Sequence, residues 1–115
     1  MAAHFLAAKR VSPLDDTTFR FDVGLGLASC MRGAHEEAVA WLRGSIREVP
    51  NWTISHSVLI AGLAYLERGD ETTAARADLR ARQPGFRIAD VTRPFRPSAG
   101  LERIVKGLRR AGLTE

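Results

Sequence analysis

The sequence reads LGLASCMRG at residues 25–33 and AGLAYLERG at residues 61–69. Small residues recur in and after these stretches at one spacing of 36 residues: Gly26 with Gly62, Gly33 with Gly69, and Ala38 with Ala74. An acidic segment follows each stretch, as expected for the start of a second helix. Three coincident spacings predict a supersecondary unit that occurs twice in the chain.

The glycines indicate that this unit is a helix-turn-helix. Gly33 and Gly69 are predicted to end the first helix of each unit, because the residue after a helix often needs a left-handed backbone. Gly26 and Gly62 fall inside the first helices, where glycine costs roughly 1 kcal/mol relative to alanine. We expect this cost to be offset by close packing of the second helix, with the alanine of each unit facing the glycine.

Prolines and helical periodicity divide the rest of the chain. Pro50 and Pro84 close the two units. Pro94 and Pro97 disfavour a long helix between the second unit and the last helix. We therefore predict one all-α domain with an N-terminal helix at 1–12, repeat one at 17–50, repeat two at 54–84, an extended connector at 85–97 and a C-terminal helix at 98–112. Within the repeats, the predicted helices cover 17–32, 35–48, 54–68 and 71–83.

The last predicted helix is strongly amphipathic. Four apolar residues follow the i, i+3, i+4, i+7 rule: Leu101, Ile104, Val105 and Leu108. Charged residues occupy the opposite side, and Gly112 followed by Leu113 predicts a Schellman end. This helix must bury its apolar side against another part of the protein.

The repeated unit resembles the tetratricopeptide repeat (TPR). The second unit matches at Val58, Ala61, Gly62, Tyr65 and Ala74, and it departs from the pattern at Asp78. The first unit matches at Leu25, Gly26, Ala38, Leu42 and Pro50. The resemblance implies a TPR-like α-α superhelix of about two to two and a half repeats plus a C-terminal helix.

The C-terminal third is similar to the tail of many bacterial repeat proteins. The stretches RPFRP at 93–97, LER at 101–103 and GLRRAGLTE at 107–115 carry this resemblance, with SPLD at 12–15 as the preceding linker. In that group the repeats follow a class III adenylate or guanylate cyclase domain or a winged-helix DNA-binding domain. The resemblance therefore implies a regulatory or adaptor module without the effector domain.

The resemblance also implies a concave groove lined by the first helix of each repeat. The residues it places there are Arg20, Val23, Leu27, Cys30 and Met31 from repeat one, and His56, Leu59, Leu63, Leu66 and Glu67 from repeat two. One interpretation is a groove that binds a peptide or amphipathic helix of a protein partner. The alternative is that the first or last helix of the same chain covers these residues.

Catalytic and metal-binding patterns are not recognisable in the sequence. His4, His35 and His56 are scattered without His-x-x-x-His spacing, and Cys30 is the single cysteine, so we expect no metal site, no cofactor and no catalysis. No apolar run approaches the ~20 residues of a membrane-spanning helix. We expect a cytoplasmic protein with no membrane partner.

Charge and exposed aromatic residues leave further alternatives. Residues 76–110 contain ten basic and three acidic residues, whereas the whole chain of 115 residues has a net charge of +4. One alternative is a nucleic-acid-binding accessory module that uses this Arg-rich third. Neither a pattern of aromatic residues among the basic ones nor a recognition-helix pattern accompanies the charge, so we expect nucleic acid not to be the partner. Descent from an adenylate cyclase is a further alternative. Trp41 and Trp52, with the apolar N-terminal helix, favour a homodimer.

Overall fold

The chain is built from helices that pack in antiparallel pairs. The computed structural model describes the backbone of residues 16–114 and the side chains of residues 22–114. Within this range the structure contains no strand, and its helices are α1 (Asp16–Arg32), α2 (His35–Glu48), α3 (Thr53–Tyr65), α4 (Gly69–Arg82), α5 (Ile88–Thr92) and α6 (Ala99–Arg110). The all-α prediction is confirmed for these residues. The helix predicted at 1–12 lies outside them.

The helix boundaries agree with the sequence prediction to within about one turn, except in the connector. Residues 85–97 were expected to be extended, and this was wrong for Ile88–Thr92, which form α5. The Asp90 carboxylate accepts a hydrogen bond of 2.9 Å from the backbone N–H of Arg87, which caps this short helix. Burial of Ile88 and Val91 then stabilises it against the rest of the domain.

Helix α3 lies at the centre of the domain. All of its residues from 55 to 63 are buried, and it packs against α1, α2, α4 and α6. A helix that is apolar on nearly all sides can be accommodated only where neighbours surround it. In contrast, α4 is a peripheral helix whose buried residues are Ala75 and Leu79.

Helices α1 and α3 end in the same way but with different residues. Gly33 has φ +86° and ends α1, as predicted. The prediction for Gly69 was wrong, since it is the first residue of α4. The left-handed residue after α3 is Glu67, at φ +56°. The next N–H, from Arg68, then donates to the carbonyl of Leu63 at 3.2 Å, which completes a Schellman-type end.

The inner glycines allow close helix contacts, although not the pairs that were expected. A Cβ on Gly26 would lie 2.6 Å from Cγ of Leu42, so α1 and α2 approach closely within the first hairpin. A Cβ on Gly62 would lie 3.4 Å from Cγ2 of Val39, a residue of α2. The prediction that Ala74 faces Gly62 was wrong, because Ala74 is exposed. Gly62 therefore lies at the contact between α2 and α3, where a Cβ would make an ordinary van der Waals contact.

Helix α6 is capped at both ends. The Ser98 hydroxyl accepts a hydrogen bond of 3.1 Å from the N–H of Leu101 at the start of the helix. At its end, Gly112 has φ +87°, and the N–H of Leu113 donates to the carbonyl of Leu108 at 3.1 Å. The predicted Schellman motif is confirmed, and Leu113 folds back to a buried position.

Candidate functional site

The residues predicted to line a groove occupy three kinds of environment. Buried are Val23, Cys30, His56, Leu59 and Leu63; half-buried are Leu27, Met31 and Leu66; exposed is Glu67. The side chain of Arg20 lies outside the described part of the chain. Most of these apolar side chains therefore belong to the protein core and are covered by other helices of the chain.

The neighbour on one side is the last helix. α6 packs against both α1 and α3, the first helices of the two predicted repeats. Its apolar residues predicted from the sequence are all buried: Leu101, Ile104, Val105 and Leu108. In the described structure, the chain's own C-terminal helix thus covers the face that α1 and α3 form together.

Contact between α6 and α3 is very close. A Cβ on Gly107 would lie 2.9 Å from the Cβ and from the carbonyl oxygen of Ala61, and equally close to the ring of Tyr65. The Tyr65 hydroxyl donates a hydrogen bond of 2.7 Å to the backbone carbonyl of Arg103. Backbone proximity at Gly107 and this hydrogen bond fix both the distance and the axial position of α6 on α3.

Contact between α6 and α1 uses the same arginine. Nη1 of Arg103 donates to the backbone carbonyl of Met31 at 2.6 Å, near the C-terminus of α1. A Cβ on Gly100 would lie 2.8 Å from Cβ of Met31, so a second glycine of α6 allows a close approach. A cation at the C-terminal carbonyls of a helix is also favoured by the helix dipole. Met31 is therefore the predicted groove residue whose contact with α6 is best defined.

Two predicted groove residues line a different side of α3. His56 and Leu59 line an open pocket of about 290 Å³ between α2, α3 and α4, together with Arg43, Glu71 and Asp78. Nε2 of His56 lies 2.7 Å from the carbonyl oxygen of Pro50, a contact that needs the proton on Nε2. This histidine supports the turn between α2 and α3.

Four residues from different helices meet beneath the start of α6. His35 stacks on Tyr65 with ring centroids 4.3 Å apart and planes inclined by 6°. Sγ of Cys30 lies 3.8 Å from Nδ1 of His35. Burial and, to a smaller extent, the Arg103 guanidinium lower the pKa of His35. The cluster therefore favours a neutral imidazole.

Cys30 is in an environment that opposes thiolate formation. Burial raises the pKa of its thiol to about 11, although the charge of Arg103 acts in the opposite direction. A thiol in this state is a small apolar group rather than a nucleophile at neutral pH. Within residues 16–114, no group of three His, Cys, Asp or Glu side chains is arranged to hold a metal ion.

The residues of α3 that face α6 were not singled out from the sequence as groove residues. Ala61 and Tyr65 occupy this face, one helical turn apart. Two features of the sequence could have indicated this face. Ala61 and Tyr65 place a small residue and a tyrosine at i and i+4, and the last helix contains a glycine, Gly107, among charged and apolar residues. Of the predicted groove residues on α3, His56 and Leu59 lie on the side of the helix that faces α2 and α4.

Comparison with known proteins gives no further assignment. No family model, no curated protein and no solved structure matches this chain. Among the described helices, none is both long enough and apolar enough to cross a lipid bilayer.

Proposed function

We propose that this chain is a non-catalytic protein-interaction module of the TPR type, with α1–α2 and α3–α4 as its two repeats. The helical hairpins, the close contact at Gly26 and the inter-repeat contact at Gly62 support the repeat assignment. Its partner-binding surface is the face of α1 and α3, and its ligand is an amphipathic helix or peptide from another protein.

One observation carries this proposal: an amphipathic helix already lies on that face. α6 packs against α1 and α3 with its four apolar residues buried, and two glycines allow its backbone to approach Ala61 and Met31. The arrangement is the helix-in-groove mode of recognition, with the ligand supplied by the same chain. A partner helix would have to replace α6 or bind where α6 has moved away.

The remaining parts of the proposal follow from the resemblance of the sequence. A role as a regulatory or adaptor module, in the cytoplasm and without a cofactor, is what the cyclase-associated and winged-helix regulators suggest. Self-association is part of the same proposal, since a helix that binds its own chain in this way could also bind a second copy. Trp41 and Trp52, which favour a homodimer in the sequence, are half-buried.

The proposal can be tested by adding the occupant in trans. A labelled peptide that spans Ser98–Leu113 is titrated into the full chain and into a Gly107→Leu variant. Leucine favours the helix, but its side chain cannot fit within 2.9 Å of the Ala61 backbone. Displacing the internal helix raises the population of the open face, so we expect the peptide to bind the variant about tenfold more tightly than the original chain.

Matched controls distinguish binding at the α1/α3 face from unspecific binding to exposed apolar side chains. Lys106→Leu adds the same side chain at an exposed neighbouring position and should not improve binding. A peptide that itself carries Gly107→Leu should not bind either chain. Equal binding of both peptides, or no binding to a variant that remains helical by circular dichroism, would rule out the α1/α3 face as a helix-binding surface.

A further inference from the structure

The outward side of α6 forms a cationic surface. We define it by Arg103, Lys106, Arg109 and Arg110 of α6 together with Arg76 of α4. The four α6 side chains are exposed and Arg76 is half-buried. Because α6 covers the α1/α3 face, a partner that approaches from this direction meets these cations rather than the apolar residues beneath them.

Three arginines of this surface contact groups that carry no formal charge. Arg103 donates to the carbonyl of Met31, and Arg76 donates to the carbonyl of Ala111 at 2.6 Å. The guanidinium of Arg110 lies 4.9 Å from the centre of the Tyr65 ring. Carbonyl groups and an aromatic ring are neutral, so these contacts hold the side chains in position without cancelling their positive charge.

Three arginines elsewhere on the described surface are paired with carboxylates. Ion pairs join Arg32 to Glu37, Arg43 to Glu71 and Arg68 to Glu36. The bordering acidic residues of the cationic surface are Glu102 and Glu67. Among the described residues, the four cations Arg76, Arg103, Lys106 and Arg110 outnumber these two carboxylates, which leaves a net positive field at this side of the domain.

We propose that this surface binds an acidic segment of a protein partner, with carboxylates opposite Lys106 and the ordered guanidinium groups. Charge complementarity supplies the attraction, and the fixed positions of Arg103 and Arg110 reduce the entropy lost when carboxylates bind them. This binding surface is separate from the α1/α3 face, and its assignment does not depend on the displacement of α6.

The aromatic group at this surface argues against a nucleic acid as the ligand. His35 stacks on Tyr65 at 4.3 Å, and Arg110 lies over the same ring at 4.9 Å. Gly107 of α6 also approaches this ring closely, so three neighbours occupy the space around it. Single-stranded nucleic acids are bound by open aromatic faces on which bases stack, and the Tyr65 ring is already used in contacts within the chain.

The test measures fluorescence anisotropy of a labelled peptide of about ten glutamates with the full chain at low salt, where surface attraction is screened least. A peptide of the same length made of glutamine and a thymidine oligonucleotide of equal charge are the comparison probes. We expect the glutamate peptide to bind, the glutamine peptide not to bind, and the oligonucleotide to bind more weakly.

Two pairs of substitutions distinguish the surface from net charge. Lys106→Glu with Arg110→Glu should weaken binding of the glutamate peptide about tenfold. Arg93→Glu with Arg96→Glu makes the same charge change in the connector before α6, where both residues are exposed, and should weaken binding by about twofold at most. Lys106→Glu alone keeps the contact of Arg110 with Tyr65 and should give an intermediate loss.

Three results would overturn this assignment. They are the absence of binding to the glutamate peptide, equal losses from the two pairs of substitutions, and tighter binding of the oligonucleotide. None of them bears on the α1/α3 face, which is tested by the Gly107→Leu chain and the α6 peptide. Failure of one proposal is therefore distinguishable from failure of the other.

Discussion

Gly107 of α6 lies against Ala61 of α3 at a distance that admits no side chain, since a Cβ at 107 would be 2.9 Å from both the Ala61 Cβ and its carbonyl oxygen. A carbonyl oxygen in the middle of a buried helix cannot move aside as the end of a flexible side chain can. Any residue larger than glycine at 107 must therefore push the two helices apart, and the position of α6 depends on this single missing methyl group.

Gly107→Ala is expected to destabilise the protein. Alanine should improve the intrinsic stability of the helix by roughly 1 kcal/mol, but overpacking at a closely packed interface costs about 1–3 kcal/mol and should exceed that gain. We expect a lower free energy of unfolding, measured by urea denaturation followed by circular dichroism at 222 nm.

The matched control is Gly24→Ala in α1. Gly24 is also inside a helix, but a Cβ there meets no described atom within 4 Å. The same substitution should then raise the free energy of unfolding by about 0.5–1 kcal/mol. An increase in stability for both variants would show that α6 is not held at the distance described here.

Glu67→Gly is expected to stabilise the protein. Glu67 ends α3 with φ +56°, a left-handed conformation that costs a residue with a side chain roughly 1 kcal/mol and that glycine adopts without steric cost. Part of this gain is offset by the greater entropy of glycine in the unfolded chain, so we expect about 0.5 kcal/mol. Thermal or urea unfolding would measure it.

Glu67→Ala is the control for loss of the exposed carboxylate. Alanine removes the charge but keeps the Cβ that makes the left-handed conformation unfavourable. Its stability should stay close to that of the original chain. If alanine and glycine have equal effects, the gain comes from the charge and not from the backbone at the end of α3.

How far the sequence predicts this fold can be seen at the ends of the helices. Gly33 and Gly112 were recognisable because glycine after an apolar periodic segment is a local signal, and both have a positive φ. Gly69 carried the same signal, yet α3 ends earlier, at Tyr65, and Glu67 takes the left-handed conformation. The spacing of the repeat predicted a turn but not which of its residues would adopt the unfavourable backbone.

The candidate site was harder to predict because it depends on contacts between distant segments. The amphipathic pattern of α6 showed that its apolar residues must be buried, but it did not specify the helices on which they would lie. Ala61 and Gly107 are far apart in the sequence, and only their packing reveals that both must be small. Likewise, the orientation of α3 about its own axis determines which residues face each neighbour: Tyr65 faces α6, and His56 faces α2 and α4.

Stability should decrease when the pH falls below the ordinary pKa of histidine. Burial and then the charge of Arg103 lower the pKa of His35 in the folded protein. Below about pH 6.5 the unfolded chain therefore takes up a proton that the folded state resists, and this destabilises the fold until the pH reaches the lowered pKa. Above that range, this contribution to stability is fully present.

His35→Phe is the variant that isolates this effect. Phenylalanine keeps an aromatic ring against Tyr65 but cannot bind a proton, so its urea midpoint should change less between about pH 7 and pH 5.5 than that of the original chain. An NMR titration of the His35 ring gives the pKa directly. Titration of His35 at or above 6.5 would contradict the environment described for it.

Cys30 is expected to react with thiol reagents only when the structure opens. Burial raises the pKa of this thiol from 9.0 to about 11, which reduces the thiolate fraction at about pH 8 by roughly a hundredfold, and the side chain is fully buried. The rate of reaction with a disulfide reagent such as DTNB should therefore be very low for the native chain and should rise at once in denaturant.

Gly107→Ala, which loosens the helix above the cluster of Cys30, His35 and Tyr65, should raise the native rate, whereas Gly24→Ala should not. Rapid labelling of the unmodified chain in buffer would mean that α6 does not shield Cys30 from the reagent.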